Sequence, residues 1–470
     1  MEQFSEVRGI TSQNARLQGV LLQFNRFGAA FELCVPSEVV RVSEVIRSFE
    51  LQVRKELLYS GRAIVRSLVR TGSSLICEVG LDDAGWQNRG LAADAVANLG
   101  DDFAAWLKAW QGACQVRSEY KVIIADMQTF LADLRLWCQQ VELGLQAARD
   151  GRSVSFSGDA AASIAEAVVP CINVLFEKFE CFTGTLPGEV LPAHWAYMRR
   201  QLHPLVLCGP FPYRTFVKPL GYAGDYEMVN MIVRNGWEGD SLFAKVVNTW
   251  FLRQPPACAH RNRIAYLADR LCDETLRVHR LGRVARILSL ACGPAHEAQR
   301  FLTESAVSDY ADIALLDFDP ETIRHVTERL RAIKRERHRQ TALRFILKSV
   351  QELLREQGRL NRHGRMDRYD LIYCAGLFDY LPDHVCGRLL GLMYELAAPG
   401  GLLVATNVEP SNPLRNGMEH LLDWHLIHRT AAQMADLCPP EIDPGQTRVF
   451  TEETGTNVFM EIRKPADARI

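Results

Sequence analysis

The sequence predicts an α/β protein: a doubly wound, mainly parallel sheet ending in an antiparallel hairpin, preceded by a small β-barrel and a helical region. Three observations predict it. Beyond residue 284, the short apolar runs RILSLACG, IALLDFD, LRFILKS, YDLIYCAG and GLLVATN are separated by helical segments, the pattern of a parallel sheet covered on both faces. The stretch TRVFTEETGTNVFMEIRK reads as two alternating runs around Glu-Thr-Gly-Thr-Asn, a hairpin that finishes the sheet. Ahead of residue 88 the apolar residues alternate, with Gly, Asn and Ser at short intervals, as in short antiparallel strands.

Taken in order, residues 1–88 form the barrel, carried by ARLQGVLLQFNRFGAAFEL, SFELQVRKEL and GRAIVRSLVRTGSSLICEVGL. Residues 89–187 turn to helical period. Ile123, Met127, Phe130, Leu134, Trp137, Val141 and Leu145 fall on one helix face, and Ile164, Val168, Cys171, Leu175 and Phe179 on a second. With RDGRSVSFSGD between them, the two helices read as an antiparallel hairpin. Its apolar stripes are ordinary core or a homodimer interface. Residues 188–283 are helical and punctuated by proline, a cap or lid for the sheet domain of residues 284–470.

Composition limits the function. A chain of 470 residues, 48% hydrophobic, suffices for two or three domains. The formal net charge of -2 leaves no basic excess to neutralise phosphates, so a nucleic-acid partner is not expected. RLRAIKRERHRQ reads as the solvated end of a helix. Thirteen cysteines, scattered with no CxxC pair or zinc spacing, fit a reducing cytoplasm and no metal. The first residues lack the pattern of a secretory signal, and no run of about 18 apolar residues predicts a membrane span.

In a doubly wound sheet the ligand sits at the carboxyl ends of the strands, where the connections diverge. The first strand ends there in ACGPAHE. A dinucleotide site wants G-x-G-x-x-G, but only Gly293 is present, followed by Pro294, Ala295 and His296. A cofactor without a diphosphate needs less anion binding, and S-adenosylmethionine is one. Asp317 ends the second strand 24 residues after Gly293, near the spacing of roughly 20 at which an acid meets ribose hydroxyls. The expected cofactor-binding positions are Ala291, Cys292, Gly293 and Glu297 after the first strand, and Asp317, Phe318 and Asp319 after the second. Ser349 and Val350 follow the third, and Ala375, Gly376 and Leu377 the fourth. Each has a plainer role open to it: a turn for Gly293, a helix dipole for Glu297, and the cap of the helix starting at Pro320 for Asp317 or Asp319.

The ordered set resembles class I S-adenosylmethionine-dependent methyltransferases, Rossmann-like enzymes, over about residues 284–464. It departs from their commoner pattern in lacking a third glycine and in placing Ser349 where an acid often contacts adenine. KPLGYAGDYEMVNMI, RILSLACGPAHE, YDLIYCAGLFDYLPD and NPLRNGMEHLLDWHLIHRT resemble, more narrowly, the bacterial methyltransferase family of 3-hydroxypalmitic acid methyl ester biosynthesis. That resemblance implies a small-molecule acyl substrate, O-methylated on its carboxylate to give a quorum-sensing signal. For such an acceptor His425 and Arg429, four apart in DWHLIHRT and so on one face of a predicted helix, are candidate carboxylate donors. Tyr380 after the fourth strand and Tyr222 in GYAGDY are the other catalytic candidates, and the GYAGDY loop is a candidate lid. The amino-terminal region resembles a PilZ domain, with Asn25 of NRFGAA where its D/NxSxxG strand would begin. Phe27 and Ala30 replace the Ser and Gly, and no RxxxR precedes them, which argues against cyclic di-GMP. Another methyl acceptor, or a regulatory binding protein on a non-catalytic methyltransferase fold, are the alternatives.

Overall fold

The computed structural model describes residues 5–33, 40–53, 56–71, 74–87, 100, 103–104, 107, 116–148, 158–360 and 368–466. Residues 149–157 of the loop expected at RDGRSVSFSGD and most of residues 89–115 lie outside them. The chain divides into two compact units: Met1–Ala223 with Asn235–Arg253 and Pro413–His425, and Gly224–Arg234 with Gln254–Asn412 and Leu426–Ile470.

The first unit opens with strands β1 (Ser5–Ile10), β2 (Arg16–Asn25), β3 (Gly28–Leu33), β4 (Val45–Val53), β5 (Glu56–Thr71) and β6 (Ser74–Leu81), closed as an antiparallel barrel in the order β1-β2-β3-β6-β5-β4. Alternation does the folding: Leu17, Phe31, Phe49, Leu51, Val65, Cys77 and Val79 fill the interior, while Val20 and Leu22 on β2 face outward. Asn25 is paired with Gly28 across the two-residue turn between β2 and β3, and its Oδ1 accepts the Phe27 N–H at 2.8 Å. The position that PilZ resemblance singles out is thus a turn residue.

Helices Ser118–Ala148 and Gly158–Thr183 pack together, each rotated from the expected face. Tyr120, Ile124, Met127, Leu131 and Cys138 are buried on the first, and Trp137 is 48% exposed. On the second, Ala165, Ile172, Phe176 and Phe179 are buried whereas Cys171 is exposed. Both helices carry apolar residues on more than one face, and tertiary neighbours choose among them: the Tyr120 ring packs on His194 at 4.8 Å and Phe179 at 6.1 Å. No helix among the described residues is long and apolar enough to cross a membrane.

In the second unit β7 (Ala285–Leu290), β8 (Ala311–Asp317), β9 (Ala342–Leu347), β10 (Tyr369–Cys374), β11 (Ala397–Val408), β12 (Thr447–Thr451) and β13 (Asn457–Arg463) form one sheet in the order β12-β13-β11-β10-β7-β8-β9. The first five are parallel; the β12–β13 hairpin joins antiparallel. Period-two alternation splits each strand between two cores. Ile287, Ile313, Leu315, Leu371 and Val404 face one way, against helices Pro255–His279, His296–Glu304 and Pro320–Glu336. Leu288, Leu290, Leu316, Ile372 and Leu403 face the other, against Val350–Leu360 and Asp383–Leu396. Burial on both faces explains the nearly unbroken apolar strands.

Candidate active site

From β7 the chain winds outward through β8 to β9, then returns to β10 on the other side of β7. The carboxyl ends of β7 and β10 therefore flank the reversal point where a crevice opens.

The turn after β7 is unusually bent. Ala291, Gly293 and Ala295 all have φ of +52°, a left-handed backbone that side chains disfavour. Cross-strand bonds hold it: Cys292 N–H donates to the Leu316 carbonyl at 2.9 Å, and Gly293 N–H to Asp317 Oδ2 at 3.0 Å. Asp317 Oδ1 accepts the Asp319 N–H at 3.1 Å. The carboxylate, 5% exposed, thus clasps the two loops. A carboxylate oxygen accepts two bonds, so this clasp is compatible with a further hydroxyl donor. Among the described residues, its chain neighbours apart, no heavy atom lies within 4 Å of where a Gly293 Cβ would stand, so the turn faces open space.

The other positions fill in around it. Asp319 caps helix Pro320–Glu336 through Thr322 N–H at 2.8 Å. Glu297, buried in the first turn of its helix, accepts the Tyr373 hydroxyl at 2.9 Å, and burial raises its pKa. After β10, Gly376 (φ +86°) donates its N–H to Thr406 Oγ1 at 3.1 Å, with half-buried Ala375 and buried Leu377 beside it. Phe318 is half-buried. Tyr380 ends a short 3-10 turn, Phe378–Tyr380, with its hydroxyl against Gly224: a Cβ there would lie 2.8 Å away. Burial pushes the adjacent Asp379 carboxyl up to about 6, against the pull of Arg263. Cys292 and Cys374 are held well above the ordinary thiol range by burial, so neither is a ready thiolate.

Helix Tyr226–Arg234 follows the GYAGD stretch and fastens to the helix starts at this edge. The Tyr226 hydroxyl donates to Glu321 at 2.7 Å, and His296 Nε2 lies 2.8 Å from Asn230 Oδ1. Burial, with His325 nearby, lowers the His296 pKa to about 4, leaving it neutral.

Residues 261–441 match the model of a methyltransferase domain. The chain carries a methyltransferase domain. Among solved structures it is similar to a possible exported protein from Bordetella parapertussis, at 17% identity over 66% of this chain and 100% of that one, with a TM-score of 0.40. It is also similar to the N-methyltransferase NodS of Bradyrhizobium japonicum in complex with S-adenosylhomocysteine, at 15% identity over 50% and 98% of the two chains and a TM-score of 0.30. A third is magnesium protoporphyrin IX methyltransferase of Synechocystis with bound S-adenosylhomocysteine, at 9% identity over 44% and 84%, with a TM-score of 0.31. No curated protein matches the chain. The match makes it an enzyme of the methyltransferase type over residues 261–441.

One position of the methyltransferase site takes a local role beside the expected one, and one expectation changes. Ser349, with Val350 buried after it, is a helix cap: its Oγ accepts the Glu352 N–H at 3.1 Å, and Glu352 accepts the Ser349 N–H at 2.7 Å. His425 and Arg429 do not share a helix face. A π-helical turn ends at Leu421 and residues 423–430 are irregular, their N–H groups spent elsewhere: His425 on Ser43 Oγ at 2.6 Å, Ile427 on the Asp379 carbonyl, Arg429 on the Val408 carbonyl. Their side chains are engaged within different units. His425 Nε2 bonds Asp423 at 3.0 Å in the first, where half-buried Tyr222 also belongs. Arg429, 2% exposed in the second, donates to Asp383, Asn407 and the Phe378 and Leu381 carbonyls. Sequence reasoning overlooks Arg263, Asp379 and Tyr373; Arg263 is one of several arginines in HRNRIAYLADRL, with no local signal to set it apart.

Proposed function

We propose that the enzyme transfers the methyl group of S-adenosylmethionine to a carboxylate oxygen of a 3-hydroxy fatty acid, giving a methyl ester that serves as a signal. The observation that carries the cofactor half is the Asp317 clasp on the Gly293 N–H, 3.0 Å long, beside open space at the reversal point. The residues fit the cofactor: Asp317 accepts ribose hydroxyls, the backbone of Ala291 to Gly293 lines the approach, and Phe318 and Ala375 to Leu377 flank it. When bound, the cofactor supplies an electrophilic methyl group on sulfur. The acyl half is supported by the resemblance of the four quoted strings, spread from Lys218 to Thr430.

The chain's task is to bind, orient and exclude water. A carboxylic acid with a pKa of about 4 is ionised near neutrality, so the acceptor needs no general base. Orientation alone is worth effective molarities of about 10⁵ M or more. Tyr380, at the sheet edge against Gly224, is placed to donate a hydroxyl, and helix Tyr226–Arg234 serves as the lid. Arg429 acts behind the site, through the segment it braces. The barrel serves partner contact and not cyclic di-GMP. Leu136 and Trp137, left 57% and 48% exposed on their helix, are what a second copy would cover in a cytoplasmic homodimer.

The experiment is incubation of the full chain with S-adenosylmethionine labelled in the methyl group and a panel of 3-hydroxy fatty acids, read by mass spectrometry. Labelled methyl esters are expected; label on protein or nucleic acid, and none on lipid, would contradict the reading.

A further inference from the structure

Arg263 lies on helix Pro255–His279 and is 7% exposed. Its guanidinium rests against the loop leaving β10: a Cβ on Gly376 would stand 3.2 Å from both Nη1 and Nη2. A side chain at that position would press on the guanidinium and sit in left-handed backbone, φ +86°. The cation is therefore at the reversal point, on the β10 side of the crevice whose β7 side is the Gly293 turn.

What sets it apart is its partner. Among the described residues the guanidinium bonds only the His260 ring, with Nη2 at 2.8 and 3.1 Å from the two nitrogens. Burial, with Arg263 beside it, holds His260 far below the usual imidazole range, so this partner is neutral. Asp379 and Glu297 act on Arg263 through their charge, but among the described residues neither is hydrogen-bonded to the guanidinium: Asp379 Oδ1 accepts the Val408 N–H at 2.7 Å and Glu297 Oε1 the Tyr373 hydroxyl at 2.9 Å. Another enclosed arginine of this unit is matched: Arg429 by Asp383 and three further oxygens. A guanidinium carries five donors in a planar fork suited to a carboxylate, and a buried cation without one is costly.

We propose that Arg263 is the carboxylate-binding residue of the site, receiving on the donors that His260 leaves open a carboxylate brought by the ligand. The inference rests on the methyltransferase reading above, in which two small molecules carry one: the amino-acid end of the cofactor and the acyl acceptor.

Calorimetric titration of the full chain and its Arg263→Gln and Arg263→Lys variants distinguishes the sources. The probes are S-adenosylhomocysteine against 5′-methylthioadenosine, which lacks the amino-acid end, and 3-hydroxydecanoate against its methyl ester. If the cofactor's carboxylate is bound, the wild-type preference for S-adenosylhomocysteine, about 10- to 100-fold for a charge-assisted pair, disappears in Arg263→Gln. If the acceptor's is bound, the preference for free acid over ester disappears instead. Arg263→Lys, keeping charge without the fork, falls between and carries the test should the Gln variant not fold. A folded variant retaining both preferences overturns the proposal. Wild-type chain that binds the fatty acid but not S-adenosylhomocysteine defeats the cofactor reading separately, and the acid–ester arm still judges Arg263. Wild-type chain preferring neither carboxylate overturns it as well.

Discussion

Replacing Gly293 by alanine separates the two reasons a glycine can stand in the turn after β7. The first is backbone conformation. Gly293 has φ of +52°, but so do Ala291 and Ala295, so this loop already holds side chains in that region. An added methyl costs about 1–2 kcal/mol in left-handed backbone, less about 0.4–1 kcal/mol recovered from the unfolded chain. Among the described residues, its chain neighbours apart, it meets no heavy atom within 4 Å, so no clash adds to this. The net is about 1 kcal/mol, or roughly 2–4 °C in Tm for a unit of this size. The second reason is access. The methyl stands in the space assigned to the cofactor, and overfilling a packed contact costs about 1–3 kcal/mol, or roughly 5- to 150-fold in affinity. Thermal melting and titration with S-adenosylhomocysteine read the two effects independently. The account expects a small drop in Tm and a large loss of affinity; a Kd within about twofold of wild type with the same drop in Tm would refute it, leaving the glycine a turn residue only.

Asp423 is the buried anion between Arg199 at 3.1 Å, Arg66 at 3.8 Å and His425 at 3.0 Å. Asp423→Asn strands the two arginines and is expected to cost about 3–5 kcal/mol, measured by urea unfolding. Although burial opposes ionisation, Arg199 and the His425 bond hold the Asp423 carboxyl well below its ordinary range. Its contribution is thus complete above the unfolded value of about 3.9 and lost as pH falls through the lower folded value, so Asp423→Asn should flatten the acid limb of stability against pH. For His296, depressed to about 4, the neutral form is favoured on folding: its contribution holds above about 6.5 and fades as pH falls toward 4. His296→Gln should remove that part of the slope in denaturation at stepped pH. Arg429→Lys loses the fork that serves four acceptors. It should lower Tm, with the apparent kcat for a fatty acid falling only as the folded fraction does and KM unchanged; a selective rise in KM would return Arg429 to the binding surface.

Much of the sheet unit is legible in the sequence because its strands are short, buried on both faces and separated by well-marked helices. The hairpin Thr447–Arg463 and the barrel follow from alternation, which fixes which side chains point inward wherever a backbone is extended. The meeting of Gly293 and Asp317 is legible too, since both end neighbouring parallel strands at the same edge. Helix orientation is less so. Trp137 fits an apolar stripe, yet Cys138 is the residue that the partner buries, because several faces of that helix are apolar. DWHLIHRT has helical spacing, but its backbone finds partners at Ser43, Asp379 and Val408, contacts invisible to any local window. The same holds for Arg263, whose distinction is what surrounds it across the unit and not its position in a helix.

The account stands or falls on whether the crevice beside the Gly293 turn holds a sulfonium nucleoside. Isothermal titration of the full chain with S-adenosylhomocysteine tests this without any assumption about the acceptor. Saturable one-to-one binding is expected, weakened about tenfold or more in a folded Asp317→Ala variant that loses the ribose acceptor. Heat no greater than dilution at saturating ligand, or identical affinity in that variant, would contradict it.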